Sequence, residues 1–177
     1  MIDLTSTPII ILVILGSVGV ALPVISIALK ERPSMMSYGI ATLIAMFASI
    51  GYVLYQIALE HVAPAAIFSQ DVLVDDAFGS LFAIAMLIVA IFTTIGSFSY
   101  MKNKANPSVY FSLILLSTIG MVLVAYSTDL VMLFVAWELM SIPTYILVGF
   151  LKKDPISNEA AIKYFLFGAL SSAIIIY

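Results

Sequence analysis

The chain has 177 residues, of which 63% are hydrophobic and 10% charged, with a mean hydropathy of +1.20. Soluble domains carry roughly a quarter charged residues, so the composition is that of an integral membrane protein. No cysteine, one histidine and a net charge of −3 exclude disulfides, thiolate metal sites, a bis-histidine haem and a nucleic-acid surface, and no cofactor is expected on this chain.

Six transmembrane helices can be laid along the sequence, giving an all-α polytopic fold. The first covers about Pro8 to Leu29, with Thr7 as its cap, Pro8 at the first helical position and Pro23 able to kink it. It is not a signal peptide: the only early charge is Asp3, the run is too long, and the cluster Lys30–Glu31–Arg32 follows it. The second helix covers about Met35 to Leu59. A longer loop, Glu60 to Asp76, contains His61, read as a surface residue. Asp75 and Asp76 suit the positive N-terminus of the third helix, about Ala77 to Met101. The fourth covers about Pro107 to Tyr126 behind Asn106 as cap, and the fifth about Thr128 to Leu151. The sixth begins at Pro155 behind Asp154 and is still apolar at Tyr177, which suggests an N-terminal fragment of a longer protein. Each run holds roughly 20 residues or more, enough for ~30 Å of hydrocarbon at ~1.5 Å per residue.

Charge follows the alternation of these segments. Lys30 and Arg32 come after the first helix, Lys102 and Lys104 after the third, and Lys152 and Lys153 after the fifth, while Lys163 enters the sixth from the same side. The opposite side collects Asp3, Glu60, Asp71, Asp75, Asp76 and Asp129. The positive-inside rule then puts the N-terminus outside and the basic turns in the cytoplasm or its equivalent; the plasma membrane of a prokaryote is the expected location, ahead of an organellar inner membrane.

Two ionisable residues inside the apolar runs carry the functional reading. Glu138 lies near the middle of the fifth helix, and Lys163 lies about two turns into the sixth. Intramembrane charges are costly and by default mark ion or proton paths. Lost hydration draws a carboxyl group towards its neutral form and a neighbouring cation draws it towards the carboxylate; a group balanced between the two can relay a proton. The structural alternative is an acid that only ties helices together. Ser141 and Tyr145 fall on the face of Glu138. Pro143, one turn on, frees backbone carbonyls, either by opening the helix to water or as a tolerated kink. For Lys163 the alternative is an ion pair with Glu159, four residues earlier. The two charges are expected to differ in depth by on the order of 10 Å. Trp137 is too deep for an interfacial belt and reads as core. Gly168 and Ser172 form a small-xxx-small pair suited to close helix packing.

The stretches WELMSIPTYILVGF (137–150) and EAAIKYFLFGALSSAIIIY (159–177) resemble the proton-translocating membrane subunits of complex I and their Mrp-antiporter relatives, most closely the N-subunit type. The resemblance implies three peripheral helices in 1–106 and the start of an antiporter-like proton-channel bundle in 107–177. It implies that Glu138 is one member of a proton-channel pair and that Lys163 lies on the same polar axis. The family's partner lysines on the seventh and eighth helices would lie beyond Tyr177. The redox chemistry, between NADH or another donor and quinone, would belong to other subunits. Those subunits, the lipid bilayer and protons are the implied partners. A cation/proton antiporter or membrane-bound hydrogenase subunit, and a structural membrane scaffold, are the alternatives.

Overall fold

The computed structural model describes residues 6–29, 34–59 and 72–177. The expectations resting on Asp3, Lys30, Glu31, Arg32, Glu60, His61 and Asp71 lie outside the described residues. Among the described residues six helices form: α1 (Thr7–Ala28), α2 (Met35–Ala58), α3 (Ala77–Tyr100), α4 (Pro107–Tyr126), α5 (Leu130–Val148) and α6 (Pro155–Ile176). Each is long and apolar enough to cross a membrane. Among the described residues there is no strand; Leu73 and Ser127 form an isolated antiparallel bridge.

The helix ends correct three readings of the sequence. Thr7 is the first helical residue of α1 and not its cap. Ser6 holds the cap position without a side-chain bond, and the carboxylate of Asp75, 68 residues away, accepts from the Thr7 N–H at 2.8 Å. Asp76 caps α3 as expected, accepting from Gly79 N–H at 2.7 Å. Asn106 stands before α4 but makes no side-chain cap bond; it adopts the left-handed conformation (φ 58°), which asparagine tolerates, and so turns the chain into Pro107. α5 is shorter at both ends than expected. Asp129 takes the cap by accepting from Val131 and Met132 N–H, and the helix stops at Val148 before Gly149.

α4 is the hub, packing against α1, α2, α3 and α5, while among the described helices α6 touches only α5. Phe111, Leu115, Val122 and Tyr126 of α4 are fully buried, and the core around them comes from α1 to α4, with Ala136 the contribution of α5. Trp137, expected in the core, is only half-buried. Buried hydroxyls in this core turn back onto their own helix: Thr42, Ser49, Thr94 and Thr118 each donate to the carbonyl four residues earlier. In hydrocarbon every polar group has to be met from within the protein. The same rule explains α1 at Pro23. Proline has no N–H for the carbonyl four residues before it, and that carbonyl, of Gly19, accepts from the Ser112 hydroxyl of α4 at 2.5 Å.

Charge divides between the two ends of the bundle. Val74 N–H donates to Tyr126 and Thr128 N–H donates to Val72. With the Thr7–Asp75 bond these contacts gather Asp75, Asp76 and Asp129 at one end. The turns carrying Lys102, Lys104, Lys152 and Lys153 lie at the other.

Candidate functional site

The site grows from α5, a helix of 19 residues in which Glu138 is ninth. Its central residues approach α4 closely because Gly120 stands opposite Met140: a Cβ at Gly120 would overlap the Met140 backbone. On the other flank α5 packs antiparallel on α6 in one continuous register. Glu138 meets Ser172, Tyr145 rests on Phe165 with ring centroids 5.7 Å apart, and Gly149 faces Ala161. Tyr145 also stacks edge-on against Tyr164 at 5.1 Å, and Gly168 leaves room for its phenol.

Glu138 is half-buried and accepts a hydrogen bond from the Ser172 hydroxyl, itself 8% exposed. A hydroxyl can both donate and accept. Ser172 therefore satisfies the carboxylate, and it can equally accept from the acid once a proton arrives. The face predicted for Glu138 divides between two neighbours. Tyr145 points to α6, whereas Ser141 donates to the carbonyl of Trp137 at 2.8 Å and borders a cavity towards α3 and α4.

Lys163 is not brought to Glu138. Its ammonium pairs with Glu159 at 2.5 Å, and both side chains are about two-thirds exposed (66% and 67%). In the α5–α6 register Lys163 falls level with Leu147, near the end of α5 and nine residues along from Glu138. That is about 13 Å at 1.5 Å per residue. The first turns of α6 thus project past the end of α5, so an ammonium two turns into its own helix still lies close to the bundle's basic end.

Beside Pro143, two backbone carbonyls of α5 accept side-chain hydroxyls. The Met140 carbonyl accepts from Ser117 of α4 at 3.1 Å, and the Ser141 carbonyl from Thr144 at 2.6 Å. A cavity of about 280 Å³ adjoins this stretch, lined by the hydroxyl-bearing Thr93, Ser117, Thr118, Ser141, Thr144 and Tyr164. It is large enough for water and offers the several polar partners that ordered water needs. The sequence reading missed Ser172 as the partner of Glu138 and the contribution of α3 and α4 to the cavity. The small-xxx-small pattern marked Ser172 for packing, but not for the acid it would face.

Residues 127–177 match the family described as NADH:quinone oxidoreductase/Mrp antiporter, transmembrane. Over this stretch the chain is similar to that family. Glu138, Pro143, Lys163 and Ser172 all lie in the antiporter-family segment, whereas Thr93, Ser117 and Thr118 lie before it. The wider chain is 33% identical to NADH-quinone oxidoreductase subunit N 1 of Solibacter usitatus over 93% of this chain and 33% of the relative. It is 35% identical to subunit N of Desulfitobacterium hafniense over 99% of this chain and 34% of the relative. An F(420)H(2) dehydrogenase subunit N of Methanosarcina mazei is 38% identical over 63% of this chain and 22% of that relative. A chain of respiratory complex I from Thermus thermophilus superposes with a TM-score of 0.69 at 26% identity, over 92% of this chain and 34% of that one. The chain spans about a third of the length of the curated subunit N relatives from Solibacter and Desulfitobacterium. It resembles the N-subunit type that the sequence suggested, on the same all-helical membrane architecture.

Proposed function

We propose that the chain is part of an antiporter-like, proton-translocating membrane subunit of NADH:quinone oxidoreductase or of an archaeal counterpart, working in the plasma membrane of a prokaryote. Redox chemistry between the donor and quinone belongs to neighbouring subunits, and this chain moves protons. Glu138 is the relay: withdrawing a cation from it favours proton uptake, and returning the cation drives release. Lys163 lies on the approach from the basic, cytoplasmic side, and the N-terminus lies outside. Residues 1–106 form the peripheral helices and 107–177 begin the channel bundle.

The observation that carries this reading is Glu138 itself, a half-buried carboxylate at the middle of a membrane-length helix, seated on a hydroxyl that serves both of its protonation states. The test is Glu138→Gln in the whole complex, with electron transfer and proton pumping measured together. The reading expects turnover of the donor to continue and proton translocation to fall.

A scaffold role has one observation in its favour, since the Glu138–Ser172 bond ties α5 to α6. Lys163 takes no part in that tie, being paired with Glu159 on its own helix. The cation/proton antiporter and hydrogenase readings share the site described here; the soluble subunits that co-purify with the protein distinguish them.

A further inference from the structure

At the basic end, the turn after α3 and the turn after α5 border a cavity of about 720 Å³. Its volume is within the range of small-ligand sites, about 300–1,000 Å³. The walls are apolar. Val109 of α4 and Ile146 of α5 remain 41% and 49% exposed, and Phe150 closes the slot between them. Phe150 packs edge-on against Tyr110 at 5.1 Å, and Tyr110 packs against Tyr100 at 5.9 Å. A row of aromatic rings of this kind marks the boundary between hydrocarbon and headgroups.

The mouth carries Lys152 and Lys153, both exposed and without an ion pair among the described residues. Of the other charges at this end, Lys102 is exposed in the turn after α3 and Asp154 lines the cavity beside the two lysines. Asp154 Oδ1 accepts from the Ile156 N–H at 3.0 Å as the cap of α6, and the Lys104 ammonium sits 3.0 Å over the Tyr100 ring. Two free ammonium groups thus stand over an apolar slot at headgroup level. Basic pockets between transmembrane helices suit anionic headgroups. Inorganic phosphate would use the lysines and leave the slot empty.

We propose that this cavity binds an anionic phospholipid, its phosphate held by Lys152 and Lys153 and one acyl chain lying against Val109, Ile146 and Phe150. The inference rests on membrane embedding and not on the proton-relay reading, so either can fail without the other.

The test uses the full-length subunit purified in detergent, with lipid retention followed by native mass spectrometry. Phosphatidylglycerol and phosphatidylcholine with matched acyl chains are the probes, and inorganic phosphate is the competitor. Phosphatidylglycerol should be held about tenfold more tightly than phosphatidylcholine, and joint Lys152→Ala and Lys153→Ala substitution should abolish that preference. Lys104→Ala, which removes a charge at the same end outside the cavity, should keep it. Val109→Trp should fill the slot and lower retention of both lipids without changing charge. Equal retention of the two lipids, or an equal loss in Lys104→Ala, overturns the proposal. Displacement of phosphatidylglycerol by inorganic phosphate would mark a simple anion site and also overturn it.

Discussion

Ser172 changes what Glu138 can do. A carboxylate in hydrocarbon without a donor would be forced to its neutral form, and a fixed cation would hold it ionised. A hydroxyl does neither, because it reorients to serve whichever form is present. Ser172→Ala should therefore impair proton translocation, whereas Ser172→Thr, which keeps the hydroxyl, should retain most of it. The measurement is the proton-to-electron ratio of the assembled complex in vesicles. If the bond is only a helix tie, Ser172→Ala should instead lower the yield of assembled complex and leave the ratio of the surviving fraction unchanged. The sequence made Glu138 easy to find, since one acid in a long apolar run stands out. Its partner was not legible, because a serine in an apolar helix gives no sign of what faces it until the register is known. The separation of Lys163 from Glu138 was legible as a depth difference on the order of 10 Å; the register that sets it, with α6 starting well past the end of α5, was not.

At the scale of helices, close packing depends on a few small residues. Gly120 lets α4 reach the backbone of α5 at Met140, just where Ser117 donates to the Met140 carbonyl. Overpacking of a tight contact costs about 1–3 kcal/mol. Gly120→Ala should therefore lower thermal stability in detergent by that order and loosen the α4–α5 seam. Gly51, where an added Cβ meets nothing within 4 Å, is the control: Gly51→Ala should leave the melting temperature unchanged or raise it. Helix number and approximate limits were readable from apolar run length, and the caps at Asp76 and Asp154 from local chemistry. The cap of α1 was not readable, because Asp75 reaches Thr7 from 68 residues away. No local pattern encodes such a contact. The central place of α4 was equally hidden, since lipid and neighbouring helices select much the same apolar side chains.

Over the whole molecule the organising feature is the separation of charge. Asp75, Asp76 and Asp129 gather at one end, and the basic turns at the other. These 177 residues hold no cysteine, so single thiols introduced among them, in a background cleared of any other cysteines, test the proposed orientation. Asn103→Cys in the α3–α4 turn should react with a membrane-impermeant maleimide only in inside-out vesicles, and Val72→Cys before α3 only in right-side-out ones. The reverse pattern would invert the proposed topology.

The central claim is that Glu138 relays protons for redox chemistry carried out elsewhere in the complex. Its most direct measurement compares Glu138→Gln with the parent complex in sealed vesicles, following donor oxidation and proton uptake in the same sample. Glu138→Gln should give an assembled complex that still oxidises its donor while translocating fewer protons per electron. An unchanged proton-to-electron ratio in a fully assembled variant would contradict it.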